Sequence, residues 1–418
     1  MDRQVFIRGG WVFGAPALPS GTVGVVEVVQ GRIGRVGPAQ GFALPDGTAV
    51  IEAAGCTVLP GLIDTHIHVF HEAQMMRLSE GAAALWGANY VQSALRAGVT
   101  TIRDLGCQTD AIFGLKRALA AGWAVGPRLL ACGRAICMTA GHGWANLSVE
   151  ADGPDAVRKA ARQQIKAGAD VIKVMATGGA GTPGELPTSV QLGVAEMRAA
   201  VEEAHNAGKP AAAHALANQG IKNAVEAGVD TVEHGVFLDD AAIEMLLRRN
   251  VALCPTISVY PRIIERGAAG GEAAFVIEKS RPLVEPHFES IRRAVAAGVR
   301  IVFGTDSATL YNPLGDFGTE MALMRRAGMT PEAILLSATR TAAEVCGIAG
   351  EVGTLEPGKA ADVLVVRGNA LDDIAALDQV QLVLRDGQRV YAAGEGRSPG
   401  LVGRPVLGRD LPGWNGEA

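Results

Sequence analysis

The chain has 418 residues, of which 48% are hydrophobic and 19% are charged, and its formal net charge at pH 7 is −5. This length and apolar content allow a large buried core, and the net charge argues against binding to nucleic acid, which needs a basic surface. The sequence shows neither a signal-peptide pattern nor an apolar run long enough to span a bilayer, so no membrane association is predicted. The six scattered cysteines form no CxxC pair and indicate reduced thiols in a cytoplasmic protein.

The two ends of the chain have the same character. Residues 1–57 alternate short apolar segments with tight turns, as in VGVVEVVQGRIGRVG, and residues 353–395 do likewise. This pattern predicts short β-strands. Because chain termini often lie close together, residues 1–57 and 353–418 are expected to form one small composite domain, a β-sandwich.

Between these ends, residues 58–352 repeat an amphipathic helix, a small-residue turn and a short strand. The repeat occurs at residues 90–106, 162–179, 202–215, 221–235, 244–257 and 291–307. In each copy a Gly or Asn follows the helix and predicts a left-handed C-cap. With further strands at 60–70 and 126–136, eight strands can be counted. The predicted fold class is therefore α/β, a (β/α)8 TIM barrel rather than an open doubly wound sheet.

The first predicted barrel strand, PGLIDTHIHVF at residues 60–70, carries two histidines in an apolar segment. Residues i and i+2 of a strand point to the same face, so His66 and His68 are expected to project together. Each ring could be satisfied by a backbone carbonyl at the end of the strand. Alternatively, both could bind one metal ion, since neutral imidazole is the commonest metal-binding side chain.

Other residues with ligand chemistry lie on other predicted strands. His214 ends PAAAHA, His234 ends TVEHG, Asp306 ends RIVFGTDS, and Lys173 lies at the centre of DVIKVMA. The active site of a (β/α)8 barrel lies at the C-terminal ends of its strands. These positions therefore predict one site at that face of the barrel.

Lys173 is the most informative of these residues, because a lysine inside VIKVM is almost never buried without a partner. Burial lowers the pKa of an amine and favours its neutral form. A neutral amine can add carbon dioxide and become a carbamate, an anionic oxygen ligand able to bridge two metals. The alternative is an ammonium group that reaches the barrel mouth on its apolar stem.

Taken together, PGLIDTHIH, VIKVMATGG, the histidine of PAAAHA, VEHG and FGTDS resemble the amidohydrolase superfamily, binuclear metal subtype. The resemblance is to the branch of prolidase-like dipeptidases and relatives of imidazolonepropionase, and it covers nearly the whole chain. It implies one divalent metal on His66, His68 and Asp306, a second on His214 and His234, and carboxylated Lys173 as the bridge. Zinc is the default metal, although manganese, cobalt, nickel and iron also suit these ligands.

The same resemblance implies a metal-dependent hydrolase that cleaves an amide or peptide C–N bond of a small molecule. The leading expectation is a prolidase-like dipeptidase or an N-acyl amino acid hydrolase. A metal-bridged hydroxide would attack the carbonyl, and Asp306 would pass its proton to the leaving nitrogen. An aryl amide, carbamate, urea or lactone is the alternative substrate, and a catalytically inactive oligomeric scaffold is a remote alternative. Relatives are frequently homo-oligomers, so a homo-oligomer is expected.

Two other activities of the superfamily fit these residues less well. Its mononuclear deaminases place a catalytic glutamate three residues after the strand-5 histidine, where this chain has Ala217. Imidazolonepropionase itself lacks the strand-4 lysine, which is Lys173 here. Both departures favour the binuclear hydrolases.

Substrate contacts are predicted at four positions. By resemblance, His142 in MTAGHGWAN contacts the substrate near its carbonyl and stabilises the developing oxyanion, the alternative being a solvated loop histidine. Many prolidase-like relatives have a substrate-contacting tyrosine where this chain has Phe237, which argues against simple Xaa-Pro dipeptidase activity. Tyr260 and Arg262 could replace that polar contact or bind a substrate carboxylate. The glycine-rich residues 176–188 are expected to form a mobile lid or an ordinary long connection.

Overall fold

The computed structural model describes residues 4–70, 78–307 and 312–394, so the last part of the predicted composite domain, residues 395–418, lies outside the described residues. The strands are β1 (Gln4–Val12), β2 (Thr22–Val29), β3 (Arg32–Pro38), β4 (Ala49–Glu52), β5 (Cys56–Pro60), β6 (Leu62–Ile67), β7 (Val99–Asp104), β8 (Arg128–Ala131), β9 (Ala135–Cys137), β10 (Ser148–Glu150), β11 (Ile172–Met175), β12 (Ala211–Ala215), β13 (Thr231–His234), β14 (Ala252–Cys254), β15 (Val363–Arg367), β16 (Val380–Arg385) and β17 (Gln388–Ala392).

The α-helices are α1 (Glu80–Tyr90), α2 (Gln92–Arg96), α3 (Ala111–Ala120), α4 (Pro154–Ala167), α5 (Val194–Asn206), α6 (Asn218–Ala227), α7 (Asp240–Arg249), α8 (Val259–Gly270), α9 (Ala274–Ser280), α10 (Val284–Ala296), α11 (Gly318–Arg326), α12 (Pro331–Ser337) and α13 (Arg340–Val345). Short 3-10 helices span Arg281–Leu283 and Ile374–Asp378. Across the described ranges, none of these helices has the length and apolar character that crossing a bilayer requires.

Strands from both ends of the chain join one mixed sheet. Its order is β17-β16-β15-β5-β1-β2-β3, and β4 also pairs with β1. The link between the two ends is the antiparallel pair of β5 and β15, in which Pro60 lies opposite Val363. Apolar side chains from both ends, including Ile7, Val26 and Leu384, pack in one buried cluster. Strands of the two ends therefore share one sheet, whereas the composite domain and its sandwich form stay predictions.

The strands of the middle region form two parallel sheets, which confirms the predicted α/β class. One sheet has the order β6-β7-β8 and the other β10-β9-β11-β12-β13-β14. The third predicted strand, residues 126–136, is divided between them as β8 and β9. It turns at Gly133, whose φ of 72° is a conformation that glycine adopts without strain.

The eighth predicted strand does not form a regular strand. Instead, residues 300–307 run beside both β6 and β14: Thr65 N donates to Phe303 O at 3.1 Å, and Leu253 N donates to Arg300 O at 2.9 Å. Isolated parallel bridges join Ile67 to Ser307 and Leu253 to Ile301. The segment leaves the extended conformation near its end, where Asp306 has a φ of 52°.

The helix ends agree with the predicted caps. Gly168 and Gly228 end α4 and α6 in the left-handed conformation, and Asn250 ends α7 in the same way. These residues reverse the chain within a few positions, so that each following strand begins immediately. The apolar residues of the parallel strands are buried, and the residues with ligand chemistry are polar exceptions on the same strands.

Candidate active site

His66 and His68, at and just after the end of β6, are both buried and both oriented by a hydrogen bond to one ring nitrogen. Nδ1 of His66 donates to Oε2 of Glu233 at 2.8 Å, and Nδ1 of His68 donates to the carbonyl oxygen of Gly106 at 2.9 Å. Because a carboxylate and a carbonyl can only accept, each Nδ1 carries the ring proton. Nε2 of each ring is therefore the nitrogen that could bind a metal ion.

Asp306 lies opposite these two rings. Its Oδ1 is 3.5 Å from Nε2 of His66 and 3.3 Å from Nε2 of His68, and the three ligand atoms lie within 4.8 Å of one another. Thr305, the residue before it, donates from its hydroxyl to Oδ2 of buried Asp64 at 2.6 Å. Burial opposes the charged form of Asp306, but the two histidines outweigh it and hold the pKa of this carboxyl well below its usual range.

His214 and His234, at the ends of β12 and β13, form the neighbouring part of the site. Their ring centroids are 4.7 Å apart, and that of His234 is 5.1 Å from that of His66. Nε2 of His214 donates to Gly178 O at 3.2 Å, so Nδ1 is the nitrogen of this ring that could bind a metal. Nδ1 of His234 is hydrogen-bonded to Oγ1 of Thr256 at 2.7 Å, so in this ring the candidate is Nε2. Burial lowers the pKa of both rings, which keeps them neutral, as metal ligands must be.

Lys173 on β11 lies in the same cavity wall and is only 2% exposed. Within the described part of the chain its amine has no hydrogen-bond or ion-pair partner. Burial lowers the pKa of the amine, although Glu233 and Asp306 partly oppose this effect. An unpaired buried ammonium is costly, so the neutral amine is favoured. The donor set as a whole, with its hydrogen-bonded imidazole rings, a carboxylate and a buried amine, fits divalent metal ions.

His142 comes to this site from the loop between β9 and β10. Its ring stacks on that of His214 with a centroid distance of 4.1 Å and an angle of 18° between the ring planes. Its Nδ1 donates to Oε1 of Glu185 at 2.5 Å. The structure thus places the predicted substrate-contacting histidine beside a predicted metal ligand rather than in solvent.

A cavity of about 320 Å³ opens at the carboxyl ends of the strands. All of the predicted metal ligands line it, together with His142 and Tyr260. One wall is apolar and is formed by Val259, Ile263 and Val276 of the α8–α9 region. The cavity therefore combines a polar base with an apolar side.

The structure does not bring Arg262 or Phe237 to this cavity. The guanidinium of Arg262 is buried and pairs with Asp316 at 2.8 Å and with the hydroxyl of Thr319 at 2.8 Å. Residues two apart on a helix point about 200° away from each other, so Tyr260 faces the cavity and Arg262 faces away. Phe237 is partly buried and packs against the cluster that contains Tyr260.

Glu233 is a residue of the site that sequence reasoning missed. It is fully buried, and it accepts hydrogen bonds from His66, from Arg103 at 3.2 Å and from Thr231 at 2.5 Å. Burial opposes its charge, but Arg103 and His66 hold the pKa of Glu233 well below its usual range. The available signal was a carboxylate inside a buried strand, next to the predicted ligand His234, where no water can solvate it.

Comparison with known proteins identifies relatives of this chain. A model of the Amidohydrolase family matches residues 57–390. Ochratoxinase of Aspergillus niger is 32% identical in an alignment 364 positions long, which covers 78% of this chain and 73% of that protein. The crystal structure of a putative prolidase from Bifidobacterium longum is 32% identical with a TM-score of 0.82, covering 96% of this chain and 97% of that one. A Xaa-Pro dipeptidase with bound methionine is 28% identical with a TM-score of 0.84, covering 93% of this chain and 100% of that one.

The matched residues include every predicted metal ligand, from His66 to Asp306. The structural neighbours described as prolidase or Xaa-Pro dipeptidase each cover more than nine tenths of this chain. The chain therefore belongs to the amidohydrolase family, in the prolidase-like branch that its motifs predict.

Proposed function

We propose that the protein is a binuclear metal-dependent hydrolase that cleaves the C–N bond of a small amide. The observation that carries this proposal is the convergence of the imidazoles, Asp306 and unpaired Lys173 on one cavity, with one nitrogen of each imidazole held by a hydrogen bond to the protein. Two divalent ions, zinc by default, would supply an activated water and polarise the substrate carbonyl when bound.

The residues of this chain then have separate roles. His66, His68 and Asp306 would hold one metal, His214 and His234 the other, and Lys173, carboxylated by carbon dioxide, would bridge them. Asp306 would accept the proton of the attacking water and return it to the leaving nitrogen. His142 and Tyr260 would contact the substrate at the cavity wall.

We also propose that the parallel strands close into a (β/α)8 barrel of residues 58–352, flanked by the composite domain of residues 1–57 and 353–418. Residues 300–307 support closure at one side, because they bond to both β6 and β14. At the other side Asp170 N, just before β11, donates to Ala131 O of β8 at 2.8 Å. A cytoplasmic homo-oligomer without nucleic-acid or membrane partners stays a prediction.

Two substrate classes compete for this site. Structural neighbours described as prolidase or Xaa-Pro dipeptidase support a dipeptide or an N-acyl amino acid. The apolar wall favours a second candidate, a non-peptide aryl amide or carbamate. With Arg262 paired to Asp316, no arginine lines the cavity within the described residues, and a free substrate carboxylate lacks its usual partner there.

The test is amine release by metal-reconstituted protein from Xaa-Pro dipeptides, N-acyl amino acids, aryl amides and aryl carbamates. Asp306→Asn with the same metal content is the control for contaminating activity. Turnover of dipeptides or N-acyl amino acids supports the leading substrate class. Turnover confined to aryl amides or carbamates supports the second, and no turnover with two metals bound contradicts an amide hydrolase.

A further inference from the structure

Glu185 is a buried carboxylate in the connection between β11 and α5, and the reaction outlined above gives it no role. Its side chain is 5% exposed. Oε1 accepts hydrogen bonds from Nδ1 of His142 at 2.5 Å and from the backbone N–H of Gly179 at 2.9 Å. Oε2 accepts from Nε2 of Gln191 at 2.8 Å. All of these donors are directed at one carboxylate beside the cavity.

The backbone around His142 is bound to the same connection. The N–H of His142 donates to Oε1 of Gln191 at 2.8 Å, and the N–H of Gly143 donates to the hydroxyl of Thr182 at 2.9 Å. Gln191 therefore contacts both His142 and Glu185. The loop of His142 and residues 179–191 are joined through backbone and side chain alike, which limits how the imidazole can move.

The ring of His142 also has little space. A Cβ atom at Gly179 would lie 2.3 Å from Cε1 and 2.7 Å from Nδ1 of His142, closer than real Cβ atoms approach. The ring stacks on His214 at the same time. A side chain at position 179 would therefore displace the imidazole from its place beside His214.

The hydrogen bond to Glu185 decides which nitrogen of His142 is left for other contacts. Burial opposes the charged form of Glu185, but its hydrogen bonds outweigh burial and keep the pKa of this carboxyl below its usual value. A carboxylate only accepts hydrogen bonds, so Nδ1 of His142 carries a proton. Nε2 then has no partner among the described residues, and it is the nitrogen left for a ligand in the cavity.

We propose that Glu185 is the positioning residue for His142: it sets the ring plane and keeps the ring proton on Nδ1, so that Nε2 is presented to the substrate. Gly179 supports this arrangement by leaving space for the ring. The inference rests on the proposed function, which assigns His142 to the substrate carbonyl. The inference makes a specific demand: Glu185 must affect the rate of turnover through His142 and through no other group.

A double-mutant cycle tests this requirement with the best substrate of the amide panel. We expect Glu185→Gln to lower kcat/KM about tenfold or more, mainly through kcat, because the isosteric amide has one acceptor oxygen for three donors. In the His142→Ala background the same substitution should change kcat/KM by less than about twofold. Glu226→Gln, at an exposed glutamate, is the matched control. An equal loss in both backgrounds would overturn the inference.

A second readout is independent of turnover. In the full-length zinc-loaded protein labelled with 15N-histidine, the His142 signals are identified by their loss in His142→Ala. We expect wild-type His142 to show a protonated Nδ1, and Glu185→Gln to shift both ring nitrogens towards a mixture of tautomers. Identical His142 signals in the wild type and in Glu185→Gln would overturn the inference.

Gly179→Ala should displace the same imidazole ring without changing Glu185. We expect it to move the His142 signals and to lower kcat/KM about tenfold. Gly114→Ala on α3, where a Cβ meets no atom within 4 Å, controls for the substitution itself. Unchanged His142 signals in Gly179→Ala would contradict the proposed restraint. If wild-type protein hydrolyses nothing in the panel, the proposed function fails, and the ring signals alone still decide whether Glu185 positions His142.

Discussion

Glu233 accepts a hydrogen bond from Nδ1 of His66 over 2.8 Å, between two side chains that are both almost fully buried. The same carboxylate pairs with Arg103, which is also fully buried. A charge pair in the core is therefore connected directly to a predicted metal ligand. His66 and Glu233 are 167 positions apart in the sequence, so only the folded chain creates this connection.

Replacing Glu233 should weaken metal binding, although none of the proposed metal ligands is changed. In Glu233→Gln the neutral amide no longer supports the basicity of His66, and we expect metal affinity to fall about 10- to 100-fold. The charge of Arg103 also loses its partner, so the free energy of unfolding should fall by about 3 kcal/mol. Chelator competition and denaturant titration measure the two effects, with Glu226→Gln as the control. Unchanged metal affinity would show that Glu233 does not support His66.

Lys173→Met should separate stability from metal content. The buried amine has no partner among the described residues. We therefore expect the free energy of unfolding of the metal-free variant to exceed that of metal-free wild type by at least about 1 kcal/mol. We also expect its metal content to fall from two equivalents to one or none, because the bridging ligand is lost. Lys166→Met, at an exposed lysine of α4, is the control. Retention of two metals by Lys173→Met would exclude Lys173 as a ligand.

Asp306→Asn should stop turnover. The amide cannot accept a proton from the attacking water, and general acid–base catalysis contributes roughly 10²- to 10⁴-fold. We expect kcat to fall by at least about 10³-fold with His66 and His68 still retaining metal. Steady-state kinetics together with metal analysis of the same sample measure this. A kcat near that of the wild type would assign the proton transfer to another group.

His287 should make the protein sensitive to acid. It is buried, its Nε2 donates to His234 O at 3.0 Å, and burial lowers the pKa of its ring to about 4. The unfolded chain, with a histidine pKa of about 6.5, binds this proton over a range where the native ring stays neutral. Stability is therefore lost as pH falls from about 6.5 to about 4, and this histidine accounts for about 3 kcal/mol of the loss.

The test compares wild type with His287→Gln, whose amide can still donate to His234 O. Denaturant unfolding of the metal-free proteins at pH 7 and at pH 4.5 gives the loss of stability for each. We expect a clearly smaller loss in His287→Gln, and no such difference in His205→Gln, at an exposed histidine. Equal losses in wild type and His287→Gln would mean that position 287 does not contribute to acid sensitivity.

Much of the site was predictable because strand patterns are local. The i, i+2 spacing of His66 and His68, and the histidines that end β12 and β13, could be read directly from short segments. The carboxyl ends of parallel strands meet at one face, so residues distant in sequence could be assigned to one site. The prediction of the eighth strand was less accurate, because the left-handed conformation of Asp306 depends on contacts that no local sequence pattern contains.

By itself, the sequence determined the alternation of strands and helices, the residues with ligand chemistry and the family. Tertiary structure decided how those residues are oriented. In the folded chain Glu233 is hydrogen-bonded to His66, and Glu185 is hydrogen-bonded to His142. On α8, Arg262 points towards Asp316, whereas Tyr260 lines the cavity. The physical reason is that ring tautomers and side-chain directions are set by hydrogen-bond partners and by helix rotation, and these depend on which distant segments pack together.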